Sequence, residues 1–78
     1  MANRTHIRIL THGVNVWNAW RKKRPAISPD LSGADLTYRN LKGANFSQAN
    51  LNGADFTHAY ILDVNLFGAS IDGTTGLR

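Results

Sequence analysis

Seventy-eight residues hold one domain at most, close to the lower size limit for a self-sufficient core. With no cysteine the chain has neither a disulfide nor thiol chemistry, and no apolar run approaches a signal segment or a membrane span, so a cytoplasmic setting is expected. The formal charge of +4 is uneven: residues 1–28 carry six Arg or Lys and no acid, whereas residues 29–78 set three cations against five aspartates for a net −2.

Residues 1–28 read as a basic leader. Ile7, Leu10, Val14 and Trp17 recur at spacings of three and four, which predicts one helix from residue 5 to about 24. Thr5 is the candidate N-cap, and Pro25 with Ser28-Pro29 stops the helix, because a residue before proline is pushed out of helical geometry. Gly13 costs about 1 kcal/mol in mid-helix and leaves a break there open. The alternation Ile7-Arg8-Ile9 also permits a short initial strand.

From Pro29 onward the period changes to five: PDLSG, ADLTY, RNLKG, ANFSQ, ANLNG, ADFTH, AYILD, VNLFG and ASIDG. The third place is always large and apolar (Leu31, Leu36, Leu41, Phe46, Leu51, Phe56, Ile61, Leu66, Ile71). The first is mostly small and the second mostly Asp or Asn. Such spacing would wander around an α-helix and would alternate faces in a strand. A chain that turns one corner per unit keeps every third-place residue inside, so four units close a square coil of twenty residues with Asp, Asn, Ser and Gly at the corners.

Units such as ADLTY, ANFSQ, ANLNG and ADFTH resemble the A(D/N)LXX pattern of the pentapeptide repeat family. The resemblance spans residues 29–73 and implies an all-β solenoid, a right-handed quadrilateral β-helix of about two coils, preceded by the N-terminal α-helix. Residues 74–78, where Thr74-Thr75-Gly76 leaves the period, read as a tail. The segment from Gly13 to Arg21 is similar to a leader found before such repeats in some bacterial proteins. Arg39 at a small-residue place and Tyr60 at an Asp/Asn place depart from the pattern.

A twenty-residue coil sets residue n over n + 20, giving core columns Leu31–Leu51–Ile71, Leu36–Phe56, Leu41–Ile61 and Phe46–Leu66. Asn45 over Asn65 offers a side-chain amide ladder. Two coils form a stack only about 10–12 Å tall, and short stacks need covers on their ends. Trp17 and Trp20 are the expected N-terminal cap. At the other end Leu66, Ile71 and Leu77 are candidates for self-association, as a two-fold dimer or a head-to-tail filament. Tyr60, Leu62 and Phe67 should point outward and form a candidate partner surface.

No catalytic set emerges. His6, His12 and His58 lack metal-site spacing, and Ser and Thr have no base and orienting acid beside them, so no cofactor and no enzyme activity are expected. The run Arg21-Lys22-Lys23-Arg24 beside Trp17 and Trp20 could bind nucleic acid, but cations also suit a helix C-terminus and the tryptophans suit a lid. The family resemblance raises a third reading, since some members bind DNA gyrase by imitating a DNA duplex. That imitation needs a long acidic rod, and here the repeat segment is short and with its tail carries only −2. The leading expectation is a non-catalytic module that associates with itself and with another protein. On the leader's resemblance, it would serve a bacterial signalling or defence system.

Overall fold

A computed structural model describes residues 2–77 of the chain. The leader forms two helices rather than the single one expected, α1 (Arg4–Thr11) and α2 (Val14–Lys23). The break falls at Gly13, whose φ of +111° is foreign to a helix, while its amide still donates to the Leu10 carbonyl at 2.9 Å. The N-cap of α1 is Asn3 and not Thr5. The Asn3 side chain accepts from the amides of Thr5 at 2.8 Å and His6 at 3.1 Å, satisfying two donors that the first turn leaves free. The alternative strand at Ile7–Ile9 is not formed, because these residues lie inside α1. α2 stops before Pro25, with Arg24 at φ −128°.

Beyond the leader there is no strand among the described residues, only single bridging residues. Six isolated parallel bridges pair Asp30 with Asn50, Asp35 with Asp55, Asn40 with Tyr60, Asn45 with Asn65, Asn50 with Ser70 and Asp55 with Thr75. Every pair is twenty residues apart, so the chain passes over itself once per four pentads. Around each bridge the amides alternate direction: Phe46 donates forward to Asn65 at 2.8 Å, and Asn65 donates back to Ala44 at 3.0 Å.

Between bridges the chain bends at a β-turn. The first-place amide of the next pentad donates to the third-place carbonyl, as from Ala54 to Leu51 at 2.9 Å. The fifth-place residue has a positive φ in all nine pentads from Gly33 to Gly73, including the non-glycine Tyr38, Gln48, His58 and Asp63 near +60°. A positive φ at the third turn position alone is the type II geometry. The second-place side chain braces the same bend. Asp30, Asp35, Asn45 and Asp55 each accept from the backbone amide and the hydroxyl of the Ser or Thr two residues on, at 2.6 to 3.0 Å. The Asn45 carboxamide oxygen is therefore engaged within its own turn and not in a ladder to Asn65.

These bends aim the third place inward. Leu31, Leu36, Leu41, Phe46, Leu51 and Phe56 are no more than 2% exposed, and the first-place Ala44, Ala49 and Ala54 are buried where the backbone turns in. Phe46 and Phe56 meet edge to face at 6.3 Å, a favoured aromatic geometry. Burial fades along the coil: Ile61 and Leu66 are half-buried, and Ile71, expected in the core, is 45% exposed. No further turn covers Ile71 among the described residues. The coil also outlasts its expected limit at residue 73. Thr75 takes a second place: it bridges to Asp55, accepts from the Phe56 amide at 2.8 Å, and donates its hydroxyl to the Asp55 carboxylate at 2.8 Å.

Gly43 provides a clean measure of the bend, because its φ is +75° and an added methyl group would meet nothing within 4 Å. Gly43→Ala is expected to cost about 1 kcal/mol from backbone geometry alone, read as a lower urea midpoint at unchanged slope.

Candidate functional site

The two ends of the coil differ, and this difference defines the candidate site. At the first end the leader replaces the missing turn. Trp17 is fully buried, sits edge-on to Phe46 at 5.7 Å and beside Trp20 at 5.2 Å, and its indole N–H donates to the Asn45 carbonyl at 2.8 Å. Asn18 supplies both halves of a peptide group: its oxygen accepts from the Asn45 amide at 2.9 Å, and its nitrogen donates to the Gly43 carbonyl at 3.0 Å. On the neighbouring corner Asn3 donates to the Asp30 carbonyl at 2.9 Å, and the Asp30 amide donates to His6 Nδ1 at 3.0 Å. Trp20, half-buried, stacks at a tilt on His6 at 5.0 Å.

Arg21 belongs to this cap and not to a uniform basic patch. It is only 7% exposed, and its two terminal nitrogens donate to the carbonyls of Asn45 and Ser47, both at 2.7 Å. Its Nε is buried without a partner, and burial pulls the guanidinium below its usual pKa, although arginine remains charged at any physiological pH. Spacing could have separated it from its neighbours, since Arg21 follows Trp17 by one helical turn whereas Lys22, Lys23 and Arg24 are exposed.

The opposite end carries no such cover among the described residues. The amides of Leu41, Phe46 and Leu51 donate to carbonyls of the coil that follows. The corresponding amides of Ile61, Leu66 and Ile71 face no further coil, and their side chains form a partly exposed apolar layer. Leu77 is half-buried and packs against the core cluster. On the side wall of this last coil Tyr60, Leu62 and Phe67 are 49%, 51% and 78% exposed. Tyr60 also removes a brace, because it has no carboxamide for the turn that follows. That turn closes through a long bond of 3.3 Å from Val64 to Ile61. Ser70 is too short to brace its own turn, and Asn52 of the preceding coil accepts from Ser70 Oγ at 2.6 Å and the Asp72 amide at 2.8 Å instead.

Three of the five aspartates, Asp30, Asp35 and Asp55, are occupied structurally. Hydrogen bonds from Thr37, and from Thr57 with Thr75, hold the carboxyls of Asp35 and Asp55 below their ordinary values, outweighing the repulsion that Asp35 feels from Asp55. Asp30 is lowered by Ser32 in the same way. Among the described residues no cluster of three or more His, Cys, Asp or Glu could hold a metal ion, and no helix is long and apolar enough to cross a membrane.

A short repeat stacked at a fixed twenty-residue register, closed at one end by helices, describes a class of repeat proteins. The family model for pentapeptide repeats matches residues 30–66 in eight copies. The segment 30–66 consists of pentapeptide repeats, and the structural period runs on to Thr75. Such repeat domains are commonly protein-interaction modules and generally non-catalytic. No curated protein and no solved structure matches the chain.

Removing Arg21 should weaken the cap far more than removing its neighbours. Arg21→Leu strands the Ser47 carbonyl and is expected to cost about 2–3 kcal/mol, against less than about 0.5 kcal/mol for Lys22→Ala, measured by chemical denaturation. A pH effect follows from His6, whose Nδ1 must keep its lone pair to accept from Asp30. Burial lowers its pKa below the ordinary 6.5 despite the nearby Asp30 carboxylate. A base with a lowered folded pKa gives stability that is fully present above its unfolded value and is lost as pH falls through the folded one. Melting temperature should therefore drop between about pH 7 and pH 5, and the drop should shrink in His6→Gln.

Proposed function

We propose that this chain is a non-catalytic assembly module whose repeat segment winds as a right-handed quadrilateral β-helix and which self-associates through the layer carrying Ile61, Leu66 and Ile71. The supporting observation is the contrast between the ends. One end has its apolar interior and its peptide groups covered by the leader. The other presents half-buried and exposed apolar side chains beside the backbone amides of Ile61, Leu66 and Ile71, which no coil among the described residues pairs. Unpaired backbone next to apolar surface is what protein chains cover by pairing with another chain. Tyr60, Leu62 and Phe67 on the adjoining wall support a second contact, with an unrelated protein, because large apolar groups exposed together mark contact sites. The assembly would work in the cytoplasm and, on the leader's resemblance, in a bacterial signalling or defence system.

The competing readings have less support. Nucleic-acid binding loses one of its four cations to the cap and one of its two stacking rings, Trp17, to the interior. Imitation of duplex DNA toward gyrase has only the net −2 of residues 29–78 to draw on.

Sedimentation equilibrium over a concentration series tests the proposal. The average mass should rise with concentration, and Ile71→Glu, at a site already 45% exposed, should stay monomeric with an unchanged circular dichroism spectrum. A constant monomer mass up to about 1 mM, where any Kd would exceed the millimolar range, would sink it.

A further inference from the structure

Given the self-association proposed above, we infer that copies of this chain join head to tail, the open layer of one copy seating on the outer face of the leader of the next. Charge decides between this and a two-fold pairing. The last coil, Phe56 to Thr75, contains Asp63 and Asp72 and no Lys or Arg, and both aspartates are exposed. A two-fold contact between open layers brings four carboxylates together with no Lys or Arg of the last coil, Phe56 to Thr75, among them, and like charges held close oppose association. The leader has the opposite character. It holds six cations and no acid, and Arg4, Arg8, Lys22, Lys23 and Arg24 remain exposed after Arg21 is taken into the cap.

The leader also offers an apolar seat. Trp17, Asn18 and Arg21 lie on the side of α2 that meets the coil. Val16, Ala19 and Lys23 project from the opposite side of the same helix. With Ile9 of α1 and Trp20 they line a groove in which Val16 is 49% exposed. An apolar layer rimmed by aspartates at one end thus faces an apolar groove rimmed by lysines and arginines at the other. Docking leaves the cap in place, since the groove uses none of the three side chains that bind the first coil. A contact between unlike surfaces leaves one of each free at the ends of the assembly, so it propagates into a filament unless the rotation per copy closes a ring.

Two single variants of the full chain separate the arrangements, because each blocks one surface at an exposed position. Ala19→Glu places a carboxylate in the leader groove, and Ile71→Glu places one in the open layer. Each variant alone should be monomeric by sedimentation velocity, and an equimolar mixture should form a one-to-one complex that stops at two chains. Wild-type association should also weaken roughly fivefold between about 0.05 and 0.5 M NaCl, the size expected for a few exposed ion pairs. Self-pairing of Ala19→Glu, with Ile71→Glu monomeric, would overturn head-to-tail joining in favour of a two-fold dimer while leaving self-association intact. A mixture that remains monomeric would also overturn it, and a monomeric wild-type chain would remove self-association itself.

Discussion

Each pentad spends its fifth residue on a left-handed backbone conformation, and the shape of the repeat segment depends on that bend. A corner every five residues directs Leu31, Leu36, Leu41 and Phe46 into one interior although no regular strand or helix would do so. The bend is held from both sides of the chain, by the turn bond across the corner and by the Asp or Asn two residues before the turn's second residue. Aspartate is retained here as a hydrogen-bond acceptor for backbone and hydroxyl groups, which explains why its carboxyl is held in the charged form. Glycine makes the left-handed conformation inexpensive at five of the nine corners from Gly33 to Gly73, and at the others the outward side chain costs about 1–2 kcal/mol of backbone strain.

A coil of little more than two turns has nearly as much end as wall, so its ends govern its stability and its behaviour. The leader supplies the first end with hydrogen-bonding groups in the places where another coil's peptides would be. Asn18 acts as a surrogate peptide, Trp17 and Arg21 as surrogate amide donors. Arg21 is an unusual choice for a buried position, and its charge is tolerated because two carbonyl dipoles are aimed at it. The penalty of the unpaired Nε is set against two charge-assisted bonds, each stronger than a neutral one. The last coil is the weaker layer, since Tyr60 and Ser70 displace two of the residues that would brace its corners.

The period of five made the interior and the twenty-residue register readable before any coordinates, because a repeated pattern averages out the ambiguity of each single unit. Trp17 as the lid was legible from its place after the leader's apolar stripe. The identity of the cap's other members was not. Arg21 sits in a run of four cations that composition treats alike, and only its one-turn spacing from Trp17 separates it. Asn3 and Thr5 are both common cap residues, and the choice between them depends on where α1 meets Asp30. The last bridge at Thr75 was hidden by the loss of the Ala-Asp spelling, although a threonine hydroxyl can still reach the Asp55 carboxylate. Exposure of Ile71 is legible from the register, because counting pentads places it in the end layer of the stack, although the apolar pattern alone would list it with the core.

The leader is synthesised before the repeats that it caps, and its partners lie far downstream. Trp17 bonds to Asn45, 28 residues later, and Arg21 to Ser47, 26 residues later. At a translation rate of roughly 5–20 residues per second, the indole waits on the order of one to six seconds before its acceptor exists. The lid therefore precedes the interior it covers, and it can close only after nearly all of the first coil has been made.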